Sequence, residues 1–242
     1  IDLMIGYCRD EEFIFSTYFR RFYRCNSESS VIKKLETFLG PEELNVHNYA
    51  NIIPTIIAEY KQKYPELVGK WTDFHIAIKN DLIWTLPALH FANTASKFNS
   101  NTFLYRFDVS SFLFGGAQHC IDLPYMFGTC DIFSTFIPND KIANETLTEI
   151  VMTSLTTFAK HGKPSIPDKY YGNNNNSISN DSVWANVSRS SLPAMIFDID
   201  RKRYCRIQQL ENQLKTPTAW NVVGSLENAY WTKNHVSQIE KR

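Results

Sequence analysis

Gly116-Ala117-Gln118-His119-Cys120-Ile121-Asp122-Leu123-Pro124-Tyr125-Met126-Phe127-Gly128 sets one histidine between a glycine-permitted bend and an apolar segment. Gly115 and Gly116 open backbone angles closed to other residues, so the chain can swing the imidazole out of a loop. Leu123, Tyr125, Met126 and Phe127 are expected to anchor the following residues in a core. A catalytic base is presented in this way, and so is a satisfied, half-buried histidine in an aromatic loop. A partner residue separates the two cases.

The partner is sought in Asp2-Leu3-Met4-Ile5-Gly6-Tyr7-Cys8-Arg9-Asp10-Glu11-Glu12-Phe13-Ile14-Phe15. An apolar run that ends at a glycine and a polar turn predicts a buried strand with carboxylates at its C-terminal edge. Open α/β sheets place their sites at that edge. On the residues alone, any of Asp10, Glu11 and Glu12 could reach the histidine, and the other two default to a solvated turn.

These stretches resemble the C-terminal half of the type-B carboxylesterase and cholinesterase family of α/β-hydrolases. Gly6 through Glu11 is similar to the family's strand end running into Asp-Glu-Gly, and Pro87-Ala88-Leu89-His90-Phe91 to its Pro-x-x-His-Phe segment. Thr102-Phe103-Leu104-Tyr105-Arg106-Phe107 is similar to its Thr-x-Leu-Tyr-x-Phe strand. The histidine loop follows, and Phe158-Ala159-Lys160-His161-Gly162-Lys163-Pro164 is similar to its Phe-Ala-Lys-x-Gly-x-Pro helix end. The order of the landmarks is the family's order.

The resemblance implies an α/β fold, the C-terminal part of an α/β-hydrolase, in which residues 1–242 are the C-terminal portion of a single domain. It makes His119 the general base of a Ser-His-Glu triad and Glu11 the acid that orients it, in the acid-then-histidine order of these hydrolases. It selects Glu11 from the three carboxylates. The implied substrate of the full-length protein is a small-molecule carboxylic ester, with no cofactor and no metal. The resemblance also points to a secreted or endoplasmic-reticulum setting.

The nucleophile has no counterpart in this sequence. None of the nine glycines brackets a serine as Gly-x-Ser-x-Gly, and no Gly-Gly-Gly run supplies oxyanion donors. In the family both lie in the N-terminal half. The chain therefore reads as part of a longer esterase, inactive by itself, with an exposed sheet edge. The alternative is a non-catalytic cholinesterase-like interaction domain or a decayed esterase copy. Retention of both His119 and Glu11 favours the enzyme.

Two positions depart from the family pattern: Cys120 and Glu12 stand where it has glycine. Both add side chains where backbones pass closely, and Glu12 sets a second carboxylate beside the acid, which predicts a raised pKa for one of the pair.

Composition fits a globular α/β piece. The 242 residues are 43% hydrophobic and 14% aromatic, and 25 basic residues balance 25 acidic ones, which gives no electrostatic bias toward nucleic acid. No apolar run approaches the roughly 20 residues of a transmembrane helix. Cys8, Cys25, Cys120, Cys130 and Cys205 lack metal-ligand spacing, and an odd count leaves at least one thiol outside any internal pairing.

Hydrophobic periodicity and breakers give the remaining elements. Helices are predicted from Ser29 or Ser30 to Gly40, over Asn48–Tyr64, from Trp71 toward Pro87, over Pro87–Lys97, and over Leu147–Lys160 with Gly162 as the stop. Strands are predicted at 102–107 and 194–199, and a closing helix at 220–231. His75 and Trp84 are assigned to core packing, and His161 to a helix-end contact rather than catalysis. Arg20, Arg21 and Arg24 read as a solvated face. Residues 171–182 form an Asn/Ser-rich loop. Asn144, Asn175, Asn180 and Asn186 begin Asn-x-Ser/Thr triplets, of which Asn144 and Asn186 are the better glycan candidates.

Overall fold

A computed structural model describes residues 1–41, 43–170, 184–188, 191–200, 203–210 and 216–226. The expected Asn/Ser-rich loop, Asn175, Asn180 and residues 227–231 of the expected closing helix lie outside the described residues. The chain forms two units, residues 1–18 with 91–211 and residues 19–90 with 212–242.

The first unit is built on a four-stranded sheet in the order β1 (Leu3–Cys8), β2 (Thr102–Phe107), β3 (Pro193–Asp200), β4 (Arg203–Gln209). β1 and β3 run parallel to β2, and β4 returns antiparallel to β3. β2 is central and buried at every position except the partly covered Tyr105, which is why its apolar residues run almost without interruption. Tyr105 pairs across the sheet with Gly6, and its ring fills the space that a side chain at Gly6 would need. Among the described residues β1 pairs on one side only, so the expected open sheet edge is present.

Parallel neighbours must be joined by crossovers. The acid turn follows β1 directly, and the histidine loop lies in the crossover from β2 to β3. Because Cys8 pairs with Phe107, the two strands end level with one another. Both crossovers therefore leave from the same end of the sheet.

Helix α8 (Lys141–His161) packs on β3. It starts six residues before the apolar periodicity does, at Leu147, because the Asp140 side chain caps it by accepting from the Ala143 N–H at 3.1 Å. Gly162, at φ +70°, closes it as expected. Leu147 and Ile150 join Phe103, Phe107, Phe197 and Trp184 in one buried cluster, each aliphatic contributing about 1.5–3 kcal/mol. The Trp184 Nε1–H donates to the Leu104 carbonyl at 3.0 Å, which satisfies its one polar group.

Asn144 lies inside α8 and is buried. Its Oδ1 accepts from the Tyr125 hydroxyl and its Nδ2 donates to the Pro138 carbonyl, so it does not present an amide for glycosylation. Asn186 is exposed, with Nδ2 donating to the Ser100 carbonyl at 2.6 Å.

The second unit is helical: α2 (Arg20–Tyr23), α3 (Glu28–Leu39), α4 (Tyr49–Lys63), α5 (Trp71–Asn80), a π-helical turn at Asp81–Thr85, the start of α6 (Leu86–Ala95), and α9 at 217–226. Its core draws Leu35 and Leu39 from α3, Ile53 and Ile56 from α4, Phe74 from α5 and Val222 from α9. The cap of α3 is Ser27 rather than Ser29 or Ser30. Ser27 accepts from the Ser30 N–H, and the Ser30 hydroxyl accepts from the Ser27 N–H, a reciprocal box that uses Ser30 from inside the helix. His75 is buried beside Tyr23, while Trp84 is only half buried. Among the described residues no helix is long and apolar enough to cross a membrane.

Candidate active site

β1 ends at Cys8, the chain turns through Arg9 and Asp10, and helix α1 (Glu12–Tyr18) begins one residue after Glu11. In that turn the Glu11 carboxylate folds back over the strand end. Its Oε1 accepts from the Cys8 N–H at 2.7 Å, and its Oε2 lies 2.6 Å from Nδ1 of His119. The structure thus brings together the two residues named from the sequence. The Glu11 side chain is 7% exposed and that of His119 36%.

With Glu11 ionised its oxygens can only accept, so the contact fixes the ring proton on Nδ1 and leaves Nε2 as the acceptor nitrogen. Phe15 of α1 lies against the imidazole, with ring centroids 5.4 Å apart, and limits its rotation.

The other two carboxylates do not form the solvated turn expected of them. The Asp10 side chain accepts from the backbone N–H of Ala117 and pairs with Arg9. Glu12 is buried in the first turn of α1, where a carboxylate faces the positive end of the helix dipole.

Burial pushes Glu11 above the ordinary glutamate range, and the hydrogen bonds from Cys8 and His119 partly offset that rise. The nearby negative charge that adds to it belongs to Asp122 rather than Glu12. Asp122 stands three residues beyond His119 at the start of α7 (Leu123–Met126), and its own carboxyl is raised by burial. The Cys8 thiol is pushed well above its ordinary value, chiefly by burial and next by the charge of Asp122. Nothing in the sequence singles out Asp122; it comes beside Glu11 only in the folded loop.

Cys120 adopts φ +68°, the left-handed region that favours glycine. The loop thus carries a side chain at a conformation that favours glycine. All five cysteines are free thiols, Cys120 exposed and Cys8, Cys25 and Cys205 buried. Among the described residues no group of three His, Cys, Asp or Glu side chains is arranged to hold a metal ion. A cleft lined by Gly128, Asp140, Asn144 and Met152 lies along α8 and includes neither Glu11 nor His119.

Residues 1–218 match the sequence model of the carboxylesterase family. The chain belongs to the carboxylesterase family. No curated protein matches it. Among solved structures, this carboxylesterase-family chain superposes on a thermophilic PNB esterase with a TM-score of 0.62 and 22% identity, covering 90% of this chain and 38% of the other. It superposes on a Geobacillus stearothermophilus carboxylesterase with a TM-score of 0.67 and 16% identity, covering 91% of this chain and 40% of the other. A further PNB esterase gives a TM-score of 0.58 at 21% identity over 89% of this chain and 38% of the other. The fold is thus part of an α/β-hydrolase, and the chain spans 38–40% of the length of these structures.

Proposed function

We propose that this chain supplies the general base, His119, and the orienting acid, Glu11, of a serine carboxylic ester hydrolase whose serine is carried on polypeptide outside it. The observation that carries this reading is the 2.6 Å contact between a buried carboxylate and a partly exposed imidazole beyond the ends of two adjacent parallel strands in a carboxylesterase-family chain. Residues 1–242 are then the C-terminal portion of one carboxylesterase domain.

In this mechanism Nε2 of His119 takes the proton from a serine hydroxyl as the oxygen attacks the ester carbonyl, and returns it to the leaving alcohol. Glu11 keeps Nδ1 protonated and stabilises the imidazolium that forms. The substrate is a small carboxylic ester. The chain alone, without a nucleophile elbow or an oxyanion hole, turns over no ester.

The absence of Gly-x-Ser-x-Gly from the sequence, together with Cys120 and Glu12 in place of glycines, supports a second reading, a non-catalytic interaction domain or decayed copy. A short-chain nitrophenyl ester assay separates the two. Under the first reading the full-length protein turns the ester over, its His119→Ala variant loses about six orders of magnitude in kcat, and the isolated chain is inactive. Equal turnover by the parent and its His119→Ala variant would remove His119 as the base. A parent without a nucleophile elbow would favour the second reading.

A further inference from the structure

Glu11 and His119 belong to two separate loops, and a single hydrogen bond between side chains is a weak way to fix one loop against the other. The neighbouring residue supplies the missing constraint. The backbone N–H of Asp10 donates to the Ala117 carbonyl at 2.9 Å, and the Ala117 N–H donates back to Asp10 Oδ2 at 2.8 Å. The residue just before the acid therefore grips, in both directions, the residue two places before the histidine.

The surrounding geometry is built for this grip. Ala117 is fully buried. Gly116 takes φ +65°, and a Cβ there would lie 3.2 Å from Asp10 Cβ and Oδ2, so a larger residue would press on the bridge. Arg9 Nε donates to the same Oδ2 at 3.1 Å, and Arg9 Nη1 approaches Asp108 at 3.7 Å, just past the end of β2. The Asp10 carbonyl accepts from the Phe13 N–H at 3.0 Å at the start of α1, which carries the Phe15 ring against His119.

We propose that Asp10 is a positioning residue, whose carboxylate and backbone staple the histidine loop to the acid turn and so hold His119 within reach of Glu11. The proposal rests on the reading of His119 as the base. Reacting groups must be held to a fraction of an ångström, and misplacement by about 1 Å costs on the order of a hundredfold in rate. The Glu11 contact orients the ring, and the Asp10–Ala117 bridge sets where the ring's backbone stands.

The test reads the His119 Nδ1 proton of this chain by proton NMR, as a downfield resonance assigned by its loss in His119→Ala and Glu11→Gln. Asp10→Ala should speed exchange of that proton with water by about tenfold, the worth of one lost backbone hydrogen bond. Asp10→Asn keeps an acceptor for the Ala117 N–H and should restore slow exchange. Ile142→Ala, at an exposed position of α8, leaves the bridge and its Arg9 support in place and should behave as the native chain. In the full-length protein Asp10→Ala should lower kcat and leave KM unchanged.

Native exchange in Asp10→Ala would overturn the proposal. So would exchange in Asp10→Asn as fast as in Asp10→Ala, which would assign the effect to charge rather than to the acceptor. If Asp10→Ala does not fold, Asp10→Glu, with its acceptor displaced by a methylene, carries the test: faster exchange supports the staple and native exchange overturns it. The resonance is read without turnover, so an inactive parent would sink the proposed function and leave this result standing.

Discussion

Glu11 reaches His119 at 2.6 Å with a carboxylate that is almost fully buried, and the same carboxylate covers the N–H of Cys8 at the end of β1. The strand end and the imidazole share one acid. That arrangement fixes the ring's tautomer, and it places a charge where the protein desolvates it.

The cost of that charge should be visible in stability against pH. Burial raises Glu11 and Asp122 above their ordinary values of 4.5 and 3.8. A carboxyl raised in the folded state keeps its proton where the unfolded chain has already lost one. Its contribution is therefore complete below the unfolded value and falls away as pH rises through the folded value. Urea unfolding of Glu11→Gln should show a gain over the native chain at pH 7 that closes toward pH 4. A loss of stability at pH 7 would show that the hydrogen bonds, not the burial cost, dominate at this position.

Cys120 stands at φ +68° beside the histidine. The left-handed region costs a residue with a Cβ about 1–2 kcal/mol, and a glycine returns part of the gain through its unfolded-state entropy. Cys120→Gly should therefore stabilise the chain by about 0.5–1 kcal/mol in chemical denaturation, whereas Cys120→Ala, equally strained, should gain nothing. Equal effects of the two substitutions would assign the difference to the thiol instead.

The core of α8 gives a contrast along one helix. Ile150 is fully buried in the cluster with Phe103 and Phe107, while Ile142, near the N-terminal end, is 75% exposed. Ile150→Ala should cost about 2–5 kcal/mol through lost burial and a residual cavity, and Ile142→Ala should stay within about 0.5 kcal/mol of native. Chemical denaturation of the two variants beside the native chain checks the contrast.

How far the sequence discloses this structure depends on whether each feature is carried by neighbours in the chain or in space. β1, β2 and the histidine loop are short apolar runs bounded by glycines and polar turns, so their residues announce them. The Glu11–His119 pair follows from the family pattern, because what joins the two is the level ending of adjacent parallel strands rather than anything local. β4 has no such signal: Arg203-Tyr-Cys-Arg-Ile-Gln-Gln is polar and lacks a clean alternation, and only pairing with β3 makes it a strand. The cap of α3 falls on the first of several nearby serines, where local spacing cannot choose. Asp122 carries no local signal in the sequence, and its nearness to Glu11 arises only when the loop closes over the strand end.

β4 also completes a charge cluster that no sequence spacing suggests. Arg106 of β2 donates to Asp108 through Nε at 2.6 Å and Nη2 at 2.7 Å, a two-pronged pair in which both residues are buried. Arg206 of β4 approaches the same aspartate at 3.4 Å, and Asp198 of β3 at 3.5 Å. Removing one member of a buried pair strands the other charge, so Asp108→Ala should cost about 3–5 kcal/mol. Replacing both, as Arg106→Met with Asp108→Leu, removes the stranded charge and should recover much of that loss, although Arg206 and Arg9 then lose a partner. Thermal unfolding of the single and double variants checks this directly. A double variant no better than Asp108→Ala would mean that Asp108 acts mainly through Arg206 and Arg9, tying β4 and the acid turn to the end of β2.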